Sequence, residues 1–204
     1  MTMPLALQNL DALVLAGGES SRMGGPKALL PVGNTTLLGA TIDRLRPLFR
    51  QVLVVTRDRD ALMGLDVEVL TDDRPERGPL VGLARGLAAS DAPWCFVAGC
   101  DMPFLNPAVI GLMAQYLEGY EVVVPSVNGR LQPLHAFYSH ECLPLARDLL
   151  DSGKKSMHAL LDRCHVRTIG SEALMALDPE FLSFRDVDTQ EAYRVVQNLA
   201  ERAR

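Results

Sequence analysis

The sequence predicts an α/β domain in three layers, with helices on both faces of a mostly parallel sheet. Three observations carry this. Short apolar runs alternate with stretches of helical periodicity. The runs at 13–15, 52–55 and 94–98 are apolar almost throughout, the pattern of strands covered on both faces. A glycine-rich loop follows the first run, where open α/β sheets place their ligands. The 204 residues fit a single domain. Hydrophobic residues make up 48% of the chain and aromatic residues 5%, so the core should be aliphatic.

The elements follow in order. Leu13, Val14 and Leu15 form the first strand. Next come Gly17-Gly18 and Gly24-Gly25, with Ser20, Ser21, Arg22 and Lys27 between and after them. Glycines admit close backbone approach, and amides, hydroxyls and cations together suit a polyanion. The spacing excludes a Walker loop, because Lys27 lies between Pro26 and Ala28, and a dinucleotide fingerprint, because Gly-x-Gly is absent. Residues 29–34 read as a short extended piece and a turn. Thr35 or Thr36 caps a helix whose apolar face is Leu37, Leu38, Ile42, Leu45 and Leu48, with Pro47 near its end. Strands are expected at 52–55 and 67–70. The acidic, turn-rich segment 71–80 then leads into a helix through Leu83, Ala84 and Leu87, with Gly82 and Gly86 permitting close packing.

After the strand at 94–98, Asp101 precedes Pro103. Asn106 with Pro107 caps the next helix, through 116, better than Asp101 would. Asn128-Gly129 is a hairpin signal that pairs 122–124 with a strand at 134–138. Helices at 142–150 and 157–161 flank the basic turn of Lys154 and Lys155. A strand at 164–169, an ambiguous stretch at 171–182 and an amphipathic helix at 190–199 complete the chain.

The net charge of −5 and the lack of a basic run argue against nucleic acid as a partner. No segment has the ~20 apolar residues of a membrane span. The first residues lack the basic start of a secretory signal, so a cytoplasmic protein is expected. Cys95, Cys100, Cys142 and Cys164 are not paired as Cys-x-x-Cys and read as buried or free thiols. The four histidines are scattered, and none is paired with a nucleophile.

The ordered set Ala-Gly-Gly-x-x-x-Arg-Met-Gly-x-x-Lys at 16–27 resembles nucleotidylyltransferases that move a nucleoside monophosphate from an NTP to a phosphorylated acceptor. Lacking a sugar-type Gly-Thr-Arg-Leu segment, it looks most like the molybdenum cofactor guanylyltransferase family. The Gly-Pro-Leu-x-Gly-Leu motif at 78–83, the Asp-x-Pro at 101–103 and Gln132-Pro133-Leu134 extend the resemblance over nearly the whole chain. It implies a nucleotide-diphospho-sugar transferase-like topology, with a nucleotide half at about 10–105 and an acceptor half at about 106–204.

It also implies GMP transfer from GTP to the phosphate of molybdopterin or molybdenum cofactor, releasing pyrophosphate. Lys27, Arg22 and Asp101 would be catalytic. Leu15, Ala16, Gly17, Gly18, Lys27, Asp72, Gly78, Pro79, Leu80 and Asp101 would bind the nucleotide, with Asp72 and Asp73 not separable by sequence. Gln132, Pro133, Asp186 and Asp188 would bind the acceptor, and Asp101 would hold Mg²⁺. Molybdoenzymes or their chaperones would receive the product. Ala-Gly-Gly resembles the GTP-using branch, whereas the CTP-using branch tends to Ala-Ala-Gly. Two departures stand out. Asp186 and Asp188 replace the asparagines of the family's Phe-x-Asn-x-Asn-Thr, and Asp only accepts hydrogen bonds where Asn also donates. At Val55 and Thr56 the family often carries an asparagine. The alternatives are another GTP- or CTP-dependent nucleotidylyltransferase with a different acceptor, or a non-catalytic nucleotide-binding module.

Overall fold

The computed structural model describes residues 7–17, 26–72 and 74–202. Strand β1 is Asp11–Leu15. Pro31–Val32 (β2) and Thr35–Thr36 (β3) pair as a small antiparallel ribbon around the expected turn. Thr36 caps helix α1, Leu37–Leu45, by accepting from the amide of Gly39 at 3.1 Å. The chain continues through β4 (Gln51–Thr56), β5 (Glu68–Thr71), α2 (Pro79–Ala89), β6 (Trp94–Gly99) and α3 (Pro107–Ala114). Then come β7 (Val122–Val127), β8 (Arg130–Leu131), β9 (His135–Ser139), α4 (Cys142–Asp151), α5 (Met157–Leu161) and β10 (Val166–Ile169). The stretch left ambiguous by sequence holds α6, Ser171–Met175, and the chain then reaches α7, Gln190–Arg202.

The main sheet runs in the order β10-β7-β9-β6-β1-β4-β5, with β8 paired to β7. β1 is parallel to β4 and to β6, β5 to β4, and β10 to β7, while β9 is antiparallel to both its neighbours. The Asn128-Gly129 turn does form a tight hairpin, with φ of 50° and 79°, but the strand it pairs with β7 is the short β8. The expected partner, β9, meets β7 further back, at Val122–Tyr138 and Val123–Phe137.

Alternation along the strands divides the core into two layers. Ala12, Val14, Val54, Phe96 and Phe137 face α1 and α3 on one side. Leu13, Leu53, Val97, Val124 and Tyr138 face α2, α4 and α5 on the other. Helix α2 sits close to β1, because a Cβ at Gly86 would lie 2.6 Å from Leu13. Among the described residues no helix is long and apolar enough to cross a membrane. The four cysteines are free thiols, with Cys95, Cys100 and Cys142 buried.

At the amino ends of these strands Asp11 is fully buried. Its carboxylate accepts from Arg50 Nε and Nη2 and from Gln51 Nε2, all at 2.9 Å, and from the Ser90 hydroxyl. Burial acts to raise its pKa. The donors from Arg50, Ser90 and Gln51, with the Arg50 charge, outweigh burial and hold it below the usual 3.8. A depressed acid stabilises the fold above its unfolded pKa, and that contribution is lost as pH falls through the lower folded value. Asp11→Asn should therefore melt well below wild type at neutral pH, and the gap should close as pH drops below 3.8. A melting series against pH checks this; a gap independent of pH would mean the charge contributes nothing.

Candidate active site

The carboxyl ends of β6, β1, β4 and β5 open into a cleft of about 780 Å³. The connection from β1 leads to α1 on one face of the sheet, and that from β5 to α2 on the other. Their divergence leaves a crevice beside β1, the place where such sheets bind ligands. Leu15, Ala16 and Gly17 line it from the first strand, Asp72 from β5, Gly78 and Pro79 from the start of α2, and Asp101 from the turn after β6.

Lys27 projects into this cleft from a 3-10 turn, Lys27–Leu29, and its ammonium donates to the carboxylates of Asp101 and Asp188, the latter at 2.6 Å. The Lys27 and Asp101 side chains retain 18% and 17% of their exposure, and Asp188 71%. Partial burial works against the charge on Lys27. The hydrogen bonds and attraction of the two carboxylates prevail and hold its pKa above the usual lysine range. A Cβ on Gly99 would lie 2.5 Å from Asp101 Oδ1, so glycine there leaves the Asp101 carboxylate free to keep its present orientation. Asn106, not Asp101, caps α3, accepting from Ala108 N at 2.9 Å.

Asp188 reaches Lys27 because the segment between them in space is anchored. Val187 is fully buried with Val32, Leu37 and Val196, and Tyr193 donates to the Pro31 carbonyl at 2.6 Å. Buried Asp178 accepts from the amides of Leu182 (3.0 Å) and Ser183 (2.8 Å), and the Ser183 hydroxyl accepts from the Asn106 amide. Burying Val187 leaves its neighbours Asp186 and Asp188 exposed.

Not every expected residue lines the cleft. Leu80 is wholly buried in the core layer beneath α2, so its side chain cannot be the nucleotide contact expected from the motif. Gln132 and Pro133 lie outside the lining; Gln132 Nε2 donates to the Arg130 carbonyl at 3.3 Å and Tyr138 Oη to the Pro133 carbonyl at 2.8 Å. Their neighbour Leu134 does line it. Asp186 stands beside the cleft and not in its wall. Gly18, Arg22 and Asp73 lie outside the described residues. His135 is fully buried, with its ring edge-on to Phe96 and its centroid 4.5 Å from that of Phe184. Burial pushes its pKa down to about 3, so it is neutral at physiological pH.

The cleft also contains Arg57, Asp58, Arg77 and Cys100, which motif reading did not place in a site, and Thr56, which it noted only as a departure from the family's asparagine. Arg57 and Asp58 belong to no motif. The available signal was positional, since both follow a buried parallel strand at its ligand-binding end.

The donor set suits a hard cation. Two carboxylates already converge on one positive group, and among the described residues no cluster of three or more His, Cys, Asp or Glu would hold a metal unaided. A Mg²⁺-like ion takes one or two carboxylates and completes its shell with phosphate and water oxygens.

Comparison with known proteins agrees with this geometry. Residues 12–168 match the MobA-like NTP transferase domain. The chain belongs to this family. The molybdenum cofactor guanylyltransferase of Desulfosudis oleivorans is 33% identical over 184 residues, covering 89% of this chain and 91% of that one. A probable molybdenum cofactor guanylyltransferase of Pelotomaculum thermopropionicum is 32% identical over 192 residues, covering 94% of each. Among solved structures, molybdopterin-guanine dinucleotide biosynthesis protein A of Archaeoglobus fulgidus superposes with a TM-score of 0.83 at 22% identity, covering 94% of this chain and 99% of that one. The 2-C-methyl-D-erythritol 4-phosphate cytidylyltransferase of Thermus thermophilus shares the fold, at a TM-score of 0.70 and 20% identity over 94% of this chain and 98% of that one. The family and the α/β architecture expected from the loop and strand pattern are thus borne out, and the chain is a nucleotidyltransferase.

The Asp186 carboxyl gives this nucleotidyltransferase a measurable signature. Partial loss of water, then the nearby carboxylates of Asp188 and Asp101, raise its pKa above 3.8, with Lys27 opposing. For a raised acid the ionised form is penalised in the fold, fully above the folded pKa and not at all below the unfolded one. Asp186→Asn should raise the melting temperature at neutral pH and lose that advantage below pH 3.8. A lower melting temperature at neutral pH would show that the charge is welcome there.

Proposed function

We propose that this nucleotidyltransferase moves GMP from GTP to the terminal phosphate of molybdopterin or molybdenum cofactor and releases pyrophosphate. The observation that carries the proposal is the meeting of Lys27, Asp101 and Asp188 inside a nucleotide-sized cleft at the strands' carboxyl ends. The names of the relatives at 32–33% identity supply the base and the acceptor.

An oxygen of the acceptor phosphate attacks the α-phosphorus, the new P–O bond forms, and the bond to the β-phosphate breaks. A phosphate acceptor is already ionised, so no general base is required. The neutral, buried His135 agrees with that. The work left to the protein is positioning and electrostatics. Lys27 neutralises triphosphate charge, with Arg22 expected to share that task. Backbone groups of Ala16, Gly17 and Gly18, with Gly78 and Pro79, hold the nucleotide, and Asp72 contacts it. Asp101 would hold Mg²⁺. Bound there, the ion would supply Lewis-acid stabilisation to the phosphates. Asp188 in the cleft wall and Asp186 beside it would meet the acceptor phosphate, and Gln132 and Pro133, outside the wall, would meet the part of the acceptor that extends beyond the cleft, so that residues of about 10–105 serve the nucleotide and 106–204 the acceptor within one domain. The reaction takes place in the cytoplasm, and molybdoenzymes or their chaperones take up the product.

Incubating the protein with molybdopterin, Mg²⁺ and each NTP in turn, and identifying the product by mass, tests the reading. The expected result is the guanine dinucleotide from GTP with stoichiometric pyrophosphate. A cytidine adduct formed as readily, or no adduct with any NTP, would contradict it.

A further inference from the structure

The four strand ends that floor the cleft stand in a fixed order. Asp101 follows β6, Gly17 follows β1, Arg57 follows β4, and Asp72 follows β5. Thr56 is in register with Thr71, and the Asp72 amide donates to the Thr56 carbonyl at 2.9 Å, so Arg57 and Asp72 leave adjacent strands side by side. Neighbouring strands are about 4.8 Å apart. Two to three such spacings separate the Asp101 end from the Arg57 and Asp72 end, the reach of a nucleoside from its phosphates to the edge of its base. If Lys27 and Asp101 receive the phosphates, the base lies over β4 and β5.

That end is built for a base with one accepting edge and one donating edge. Arg57 Nη1 donates to the Glu76 carbonyl at 2.8 Å, which spans the mouth between the two loops and fixes the guanidinium plane. Asp72 Oδ1 accepts from the Arg74 amide at 3.2 Å, and its carboxylate borders the cleft. Guanine presents O6 and N7 as paired acceptors, which an arginine fork matches, and N1–H with the 2-amino group as paired donors, which a carboxylate matches. Adenine places a donor where O6 would be, and cytosine, with adjacent acceptors at O2 and N3 but only its 4-amino group as donor, cannot offer a carboxylate the paired donors.

Resting on the reading of the site as a GTP site, we infer that Arg57 is a specificity-determining residue, donating its guanidinium edge to O6 and N7 of the guanine. Its partner Thr56 has a different role: its hydroxyl accepts from the Asp58 amide at 3.2 Å and so shapes the turn that delivers Arg57.

The test is calorimetric binding of GTP and of 7-deaza-GTP, which lacks only the N7 acceptor, to wild type, Arg57→Ala and Arg57→Lys in the presence of Mg²⁺. A bidentate arginine–guanine contact is worth roughly tenfold to a hundredfold in discrimination. Wild type should bind GTP about tenfold or more tightly than 7-deaza-GTP. Arg57→Ala should bind both equally and weakly. Arg57→Lys keeps the charge and can still reach the Glu76 carbonyl, and it should also lose the discrimination while melting like wild type. A loss by the same factor for both nucleotides in Arg57→Ala, with the preference for GTP over 7-deaza-GTP intact, would mean that Arg57 only ties the two loops together, and unchanged GTP binding would remove it from the site; either overturns the inference. Wild type that binds CTP as tightly as GTP would overturn the underlying reading itself, whatever the variants do.

Discussion

One ammonium group joins segments far apart in this chain. Lys27 holds Asp101, from the turn after a central parallel strand, and Asp188, which lies 161 residues further along the chain. Three segments distant in sequence must each be placed to within a hydrogen bond for this to occur. The register of β1 with β6 sets Asp101, the burial of Val187 sets Asp188, and the 3-10 turn at Lys27–Leu29 sets the lysine. The Asp188 pair is exposed, and such pairs contribute little to stability, while the Asp101 pair is partly buried in the wall of an open cleft. The arrangement is better understood as a cation and two carboxylates held ready for a ligand that carries both phosphates and a metal.

The sheet explains why the cleft has two chemically different ends. Because β1 lies between β4 and β6, its carboxyl end, with Ala16 and Gly17, lines the middle of the site. On the β6 side are the carboxylates and Lys27. On the β4 and β5 side are Arg57, Asp58 and Asp72, with Ala61 and Leu62 giving an apolar wall. A nucleoside triphosphate has the same polarity, with charge at one end and a flat, edge-patterned base at the other. The two-layer core beneath serves to hold these strand ends in register, and the close approach of Gly86 to Leu13 keeps α2 tight against β1.

Much of this was legible before any coordinates. The strands were visible because burial on both faces makes them continuously apolar, and the caps at Thr36 and Asn106 because their chemistry is local. Asp101 and Lys27 stood out as polar residues at the ends of apolar or glycine-rich runs. What could not be read was anything decided by distant packing. The pairing of β9 between β6 and β7 depends on contacts across the core, so the hairpin signal at Asn128 predicted the turn but not its immediate partner. Leu80 sat inside a recognisable motif, yet helical phase turns it into the core. The replacement of asparagine by Asp188 raised a question of lost donors in sequence, and the fold answers it with a lysine as partner. Arg57 escaped notice because an arginine after a strand resembles ordinary surface charge until the neighbouring strand's Asp72 is seen beside it.

The central claim is that Lys27 is held for a ligand and not for the fold. The most direct measurement is the Mg²⁺–GTP dissociation constant and the melting temperature of Lys27→Met, taken together with wild type. Loss of a preorganised charge at a reacting phosphate group is typically ~10²–10³ in rate, and binding should weaken in the same direction by at least tenfold. Asp188, at 71% exposure, can turn into water when the lysine is gone, and Asp101, though only 17% exposed, lines the open cleft where water can reach its carboxylate, so stability should change by about 1 kcal/mol or less. Weakened GTP binding with a nearly unchanged melting curve is the predicted result. A large fall in melting temperature with GTP affinity intact would show that Lys27 is a structural tie and would contradict the account.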